Sequence, residues 1–323
     1  MPAPSSSLAT LRPDLAGSFE EFNLAMDRQG YIGTRVLIPV EVMKPSGKFG
    51  KITVEALLKE RDTARAPGAG YSRGNWQFTD ASFVCEEHGA EEPVDDREAQ
   101  MYAEYFDAET VSAERALHAV LMNQEKRIAA LIFNTTTWTG AALTTTVATP
   151  WSTFATAVPV DNVLAAKRRV WDGCGLWPNA LVLTRRKFQD LQQCAQIVDR
   201  VKYSGLYDPL TRGITPALIA QALDLDFILV AGGAKDTAKE GQAATFASIW
   251  TDTMAQVARV AISADIREPC VGRVFHWSED GSTIGGTVES YRDETIRGDV
   301  VRVRHDVDEI VTYKEAAHLL QGL

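Results

Sequence analysis

Cysteine is scarce in this 323-residue sequence: Cys85, Cys174, Cys194 and Cys270 are the only four, and the nearest two stand 20 positions apart. There is no CxxC, so neither a zinc site nor a redox pair is indicated. The expectation is buried free thiols in a chain made in a reducing compartment. The five histidines, His88, His118, His276, His305 and His318, show no HxxxH or HExxH spacing. Apolar runs are short: stretches such as Phe227 to Ala231 fall far below the ~20 residues of a membrane helix. The opening MPAPSSSLATLRPDL has neither the basic start nor the apolar core of a secretory signal. A soluble chain made inside the cell, with no membrane partner, is therefore expected. Positive charge is in deficit, with 33 Lys and Arg against 43 Asp and Glu and a net charge of -10. A protein that works by gripping nucleic-acid phosphates carries the opposite balance.

Signatures of catalysis are missing as well. LVAGGAKDTAKEG, a strand followed by glycines, comes nearest to a phosphate loop. It lacks GxGxxG and any GKS or GKT, and reads as a surface turn. Gly281, Gly285 and Gly286 read as turn and strand-bulge glycines. No GxSxG surrounds Ser72, Ser204 or Ser248, and Cys85 beside His88 is a sequence coincidence rather than a nucleophile and its base. His118 reads as a structural residue of a long helix. No catalytic, cofactor-binding or metal-ligating residue is assigned, no cofactor is expected, and the chain is not expected to be an enzyme.

What is present is a globular composition, 45% hydrophobic and 24% charged, at a length that accommodates about two domains. Residues 1–30 form a polar arm with a short amphipathic stretch at Phe19, Phe22, Leu24 and Met26. Tyr31 to Val42 is β-rich, and Pro39 belongs at an edge or a strand start. Residues 46–89 make a glycine-punctuated excursion. Ile52 and Val54 face Trp76, Phe78 and Phe83 as the arms of a hairpin whose tip lies near Ala66 to Arg73. It has too few apolar residues for a core of its own. From Glu109 to Asn134 the set Ala113, Leu117, Val120, Leu121, Ile128, Leu131 and Ile132 keeps a helical period, and Asp107 is a cap. Residues 134–150 read as loop or strand.

Residues 159–265 alternate helix and strand. Helices are expected after Asp161 (stopped by Gly173), after Thr184 and after Thr215–Pro216; strands are expected at Ala180 to Leu183, Phe227 to Ala231, Phe246 to Trp250 and Val257 to Ile262. VGRVFHW and TIGGTVESYRD then read as a hairpin joined by SEDGS, followed by Val300, Val301, Val303, Ile310 and Val311.

Charge is segregated. Lys44, Lys48, Lys51, Lys59, Arg61, Arg65 and Arg73 precede an acidic run, Glu86, Glu87, Glu91, Glu92, Asp95, Asp96 and Glu98. Two readings stay open: the runs pair between copies of the chain, or each is merely solvated.

The order of these parts resembles the major capsid proteins of tailed bacteriophages, the Hong Kong 97 fold family. RVLIPVEVMKPSGKFGKITVEALLKERDTARAPGAGYSRGNWQFTDASFVCEEHG is similar to the extended loop of that fold. EEPVDDREAQMYAEYFDAETVSAERALHAVLMNQEKRIAALIFN is similar to the spine helix and its approach. VDNVLAAKRRVWDGCGLWPNALVLTRRKFQDLQQC resembles the axial-domain unit, and SYRDETIRGDVVRVRHDVDEIVTYKEAAHLL the closing strands. The resemblance implies an α+β fold. Its parts are an N-terminal arm and first strand (1–44), an extended β-hairpin loop (45–92), a peripheral domain with the spine helix (93–150), an α/β axial domain (151–265) and closing peripheral strands (266–323).

It also implies a self-assembling icosahedral shell of hexamers and pentamers that encloses double-stranded DNA without sequence-specific binding. A separate scaffolding protein, a portal and a decoration protein are the implied partners. The location is the virion, after assembly in the host cytoplasm. An encapsulin-type compartment of the same fold is the alternative, and an α/β enzyme with an undetected site the more distant one.

Overall fold

The computed structural model describes residues 10–11, 30–52, 58–61, 63–74, 78–102, 107–203, 213–279 and 281–323. The amphipathic stretch at Phe19, Phe22, Leu24 and Met26, and Val54 and Trp76 of the expected hairpin, lie outside these residues. So do the side chains of Ile52 and Phe78.

In chain order the strands are β1 (Thr10–Leu11), β2 (Pro39–Val42), β3 (Ser46–Ile52), β4 (Phe78–Val84), β5 (Glu86–Asp95), β6 (Thr144–Thr146), β7 (Ala180–Thr184), β8 (Phe227–Ala231), β9 (Ala234–Asp236), β10 (Phe246–Ser248), β11 (Met254–Ala258), β12 (Gly272–Trp277), β13 (Thr287–Asp293), β14 (Gly298–Val311) and β15 (Ala317–Gln321). The α-helices are α1 (Gly33–Val36), α2 (Asp96–Tyr102), α3 (Ala108–Ile132), α4 (Pro159–Cys174), α5 (Arg185–Gln193), α6 (Ala195–Tyr203) and α7 (Pro216–Leu223).

The first sheet has the order β1-β13-β14-β12-β2, with β5 also paired to β14. Its centre is the long strand β14. Val301 is paired with both Ser290 of β13 and Glu92 of β5, and Val307 with both His276 of β12 and Glu86 of β5. β5 thus runs along one edge of β14, while β13 and β12 share the other. The expected hairpin between VGRVFHW and TIGGTVESYRD does not form. Fourteen residues of β14, rich in valine, pair with β13 along one half and β12 along the other, and so give both shorter strands a longer ladder partner.

The second sheet has the order β6-β15-β11-β7-β8. Both β6 and β15 belong to it, although residues 144–146 and 317–321 were expected with the peripheral parts of the chain. The Ala-His-Leu-Leu run of β15 needs apolar cover on both sides. It finds Val257 and Ala255 of β11 alongside, and two separate cores on its two faces. Strand β7 shows the same arrangement. Leu181 and Leu183 face a core formed with α4 to α7, while Ala180 and Val182 face one shared with α3 and the first sheet.

α3 begins where Asp107 accepts a hydrogen bond from the Glu109 N–H at 3.2 Å, with Glu109 in the positive first turn. It is ~38 Å long at ~1.5 Å per residue. Its last turn is closed by Trp138, whose indole donates to the Ile132 carbonyl at 2.7 Å and so satisfies an orphan acceptor. The first half of its buried face, Ala113, Ala116, Leu117 and Val120, lies on Val94, Val288, Val301 and Val303 of the first sheet. The second half, Ile128, Ala129 and Ile132, joins the core between the two sheets. One rigid element therefore ties both cores together.

Three local expectations are corrected. Tyr31 to Val42 holds the short helix α1 before β2, because the Ile32 and Gly33 N–H groups find a buried carboxylate on α3 rather than a strand partner. α4 starts at Pro159, not after Asp161, and ends at Gly175 rather than Gly173, since Gly175 takes the left-handed φ of +69° that stops a helix. β11 covers 254–258 instead of 257–262. Pro39 is the first residue of β2, which pairs in parallel with β12 at the end of the sheet order, where its missing donor is tolerated.

Candidate assembly surface

β3 and β4 form a hairpin in register from Ser46↔Val84 to Ile52↔Phe78. Its base is fixed to the first sheet. Phe83 stacks on Phe275 at 4.8 Å between centroids, Phe49 tilts onto the same ring at 5.3 Å, and the Val84 N–H donates to Asp308 of β14 at 2.8 Å. Beyond the base every described residue of 58–61 and 63–74 is exposed. The tip folds on itself nonetheless. The Ala69 N–H donates to the Ala66 carbonyl at 3.0 Å, and Arg65 donates to the Ala69 carbonyl at 2.6 Å with its guanidinium 4.7 Å over the Tyr71 ring. The tip thus lies within the expected span, and it is a preformed knob without a core beneath it.

The acidic run from Glu86 to Asp95 lies on strand β5, with Asp96 and Glu98 in the first turn of α2, and several of its carboxylates find partners in the same chain. Glu91 and Glu289 flank Arg302 from the two neighbouring strands, at 3.8 and 2.5 Å. Arg304 pairs with Glu289 at 3.0 Å and Asp306 at 3.3 Å, and comes within 4.0 Å of Glu87. Asp96 holds Arg292 at 2.5 Å, and Glu92 reaches Arg115 of α3 at 3.7 Å. Four acids of the run, Glu87, Glu91, Glu92 and Asp96, thus lie against arginines of the same chain, while Glu87, Glu91 and Asp96 stay about half exposed. The local spacing of the acids does not encode this, since Arg292, Arg302 and Arg304 lie about 200 positions away and Arg115 on the next long helix. Burial pushes the Glu289 carboxyl up, but the hydrogen bonds from Arg304 and Arg302 outweigh it and hold the group below the ordinary carboxylate range. The basic set upstream is mostly exposed; there Lys48 pairs with Asp80 at 2.7 Å.

A groove of about 580 Å³ runs between β5 and α3, lined in part by His88, Gly89, Asn123, Lys126 and Arg127. Arg127 is already held by Glu309 of β14, with contacts of 2.9 to 3.2 Å to both carboxylate oxygens. Two residues before Arg127 on α3, and on the opposite side of the helix, Glu125 is buried. It accepts from the Ile32 and Gly33 N–H groups at 3.0 and 2.8 Å and from the Trp250 indole at 2.6 Å. Burial raises its pKa above the ordinary range, against those three donors. Glu125 therefore joins the segment before β2, the long helix and the loop ahead of β11. Sequence reasoning missed it, although its spacing of four from Leu121 and three from Ile128 puts it on the buried face.

Two of the sites weighed for chemistry, the Gly232–Gly233 turn and Cys85, have structural environments. Gly233 lies where residues 30 and 31 cross the end of β8: a Cβ there would stand 2.7 Å from the Tyr31 ring. The glycine pair thus serves close packing of two chain segments. Burial pushes the thiols of Cys85 and Cys194 up to about 11, away from the nucleophilic thiolate. Among the described residues no cluster of three or more His, Cys, Asp or Glu is placed to hold a metal ion.

No family model matches the chain. Two curated relatives do. A major capsid protein of Burkholderia phage BcepMu is 30% identical over 175 residues, 54% of this chain and 56% of that protein, so the match spans little more than half its length. A major capsid protein of Pseudomonas phage JBD67 is 24% identical over 283 residues, 87% of this chain and 88% of that one. Among solved structures, a phage-related protein from Bordetella bronchiseptica superposes with a TM-score of 0.71 at 19% identity, covering 98% of both chains. The capsid of a native GTA particle gives 0.55 at 13% identity, over 91% of this chain and 90% of that one. The chain has the Hong Kong 97 capsid fold. The SrpI encapsulin of Synechococcus elongatus shares this capsid fold, with a TM-score of 0.51 at 10% identity over 91% of this chain and 87% of that one. A capsid fold survives such divergence because its buried positions ask for apolar volume and strand pattern rather than particular residues.

Proposed function

We propose that the chain is a major capsid protein whose copies assemble into an icosahedral shell around double-stranded phage DNA. The observation that carries this is the match to the JBD67 major capsid protein along 87% of the chain. The role is structural rather than catalytic. In this proposal residues 1–44 are the arm and first strand and 45–92 the extended loop. Residues 93–150 and 266–323 build the peripheral domain around α3 as its spine. Residues 151–265 are the axial domain, whose sheet also takes in β6 and β15. The exposed loop beyond Phe49 and Phe83 packs against neighbouring copies in hexamers and pentamers. A separate scaffolding protein, a portal and a decoration protein are the further partners, and assembly occurs in the host cytoplasm before the shell becomes part of the virion. The net charge of -10 suits a wall that holds DNA without gripping it.

Electron microscopy of the protein expressed with and without its scaffolding partner tests this. Closed shells are expected with the partner, and tubes or soluble oligomers without it. Closed shells from the protein alone would favour an encapsulin-type compartment. A stable dimer under every condition, with residues 46–89 protected from protease, would overturn both shell readings.

A further inference from the structure

We propose that the outer edge of β5, from Glu87 to Glu91, is a docking site for an extended strand of a partner polypeptide that carries lysine or arginine at alternate positions. The site does not depend on shell assembly. β14 takes one edge of β5, and among the described residues no strand takes the other. The register shows which peptide groups face outward. The Asp96 N–H donates to the Arg297 carbonyl at 3.2 Å, and Asp95 stands opposite Gly298. In an antiparallel ladder this aims the backbone groups of the even-numbered residues of β5 at β14 and those of the odd-numbered residues away from it. Earlier in the chain β3 covers this outer edge, as far as the Cys85 N–H, which donates to the Pro45 carbonyl at 2.7 Å. Glu87, Gly89 and Glu91 follow with outward N–H and C=O groups, and all three residues are exposed. Pro93 ends the series, because it has no N–H to offer. The open edge therefore has a limit at each end, and an unpaired edge is a template for strand addition.

Charge selects the occupant. In the ionic ladder on the face away from α3, the four carboxylates of Glu87, Glu91, Glu289 and Asp306 share the two guanidinium groups of Arg302 and Arg304. Glu91 and Glu87 reach theirs only at 3.8 and 4.0 Å, and their side chains stay 47% and 61% exposed. A strand laid along the edge brings alternate side chains beside these two carboxylates, where a cation is favoured. The intervening side chains fall on the α3 side. There the groove of about 580 Å³, lined by Ala90, Val120, Asn123 and Lys126 among others, has room for short uncharged residues. A second copy's β5 does not suit the edge. Antiparallel pairing centred on Gly89 would set each Glu87 opposite a Glu91, and like charges directly opposite are destabilising. The same acids thus bar self-pairing and admit a basic strand.

Fluorescence anisotropy of a labelled Lys-Thr-Lys-Val-Lys-Thr peptide, titrated with the unassembled full-length protein, tests this. Saturable binding is expected, about tenfold weaker for the same peptide with glutamate in place of lysine. A peptide N-methylated along its length keeps the charge and loses the backbone donors, so it should bind about tenfold more weakly too. No binding, or equal binding of the N-methylated peptide, would overturn strand addition. Hydrogen exchange locates the contact: the amides of Glu87, Gly89 and Glu91 should exchange more slowly in the complex, and unchanged exchange would overturn the site. The double variant Glu87→Gln, Glu91→Gln should weaken binding about tenfold while the thermal midpoint moves by no more than a few degrees. Unchanged binding would overturn the selection by charge. Should that variant not fold, added salt on the unmodified protein gives the same readout, with weaker binding expected as the charges are screened. A peptide-free dimer in which these three amides are already protected would assign the edge to a second copy and overturn the partner.

Discussion

β7 and β14 are both interior strands, but they are built from different materials. All five residues of β7 are buried, because helices cover one face and α3 with the first sheet covers the other. β14 buries Val301, Val303 and Val307 on the side of α3, with His305 among them. On its opposite side it carries Arg302, Arg304 and Asp306 in an ionic ladder. The apolar strand depends on filled volume, whereas the ionic strand depends on charge states. The second sheet should therefore respond to truncation and the first to pH.

The largest expected effect is in the apolar sheet. Leu181 is fully buried in the core beneath α4 to α7. Leu181→Ala should cost the free subunit about 3 kcal/mol in denaturant unfolding, the sum of lost transfer energy and a residual cavity. The loss should be equal at pH 7 and pH 5. A pH-dependent loss would break the contrast between the sheets.

An effect of nearly the same size is expected from acid on the first sheet. Burial, with Arg127, His88 and His276 adding to it and the Ile284 carbonyl opposing, lowers the pKa of His305 to about 4. Its Nε2 is buried with no partner, and His88 stands directly across from it on β5. An imidazole in the unfolded chain titrates near ~6.5. Below that pH the unfolded chain takes up a proton that the native chain refuses. The stability is whole above ~6.5 and is lost as pH falls toward 4, by roughly 3 kcal/mol. Unfolding measured from pH 7 to pH 4 should show this slope, and His305→Leu should flatten it. The lowered pKa of His318 in β15 acts in the same direction, so His318→Leu should flatten the slope less; an equal effect would erase the distinction between the sheets.

Glu289→Gln comes next. It leaves Arg302 and Arg304 with one fewer anion between them on a half-buried face, and about 2 kcal/mol should be lost at pH 7. Because the folded Glu289 carboxyl lies below its ordinary range, its contribution is present at neutral pH and disappears as pH falls through that lowered value. The variant should accordingly converge with the parent protein in strong acid. The smallest effect belongs to Lys48→Ala. Its pair with Asp80 is exposed on both sides, so thermal unfolding should shift by no more than about 0.5 kcal/mol. A larger loss would mean that the hairpin arms contribute to the stability of the lone subunit.

Much of this organisation is legible in the residues. The Asp107 cap and the spacing from Ala113 to Ile132 mark α3 to within about two residues at each end, and Phe227 to Ala231 is the whole of β8. The glycines and arginines of residues 65–73 mark the loop tip. The strand partners are less legible. Val300 to Val311 looked like separate closing strands after a hairpin, whereas β14 is one strand that separates β12 from β13 along its edge.

By itself the sequence determined what depends on neighbours in the chain. The limits of α3 follow from a cap and a 3.6-residue period, the exposed loop follows from its lack of apolar residues, and the absence of nucleotide or metal motifs follows from spacing. Only the tertiary structure decided which strands lie side by side, which arginines lie against the acidic run of β5, and that Glu125 holds three segments together from inside the protein. Helical order is closed by hydrogen bonds four residues apart, so a short window of sequence contains its cause. A sheet ladder or a buried carboxylate is closed by partners about 100 to 200 positions away, and nothing short of the folded chain brings those partners within reach.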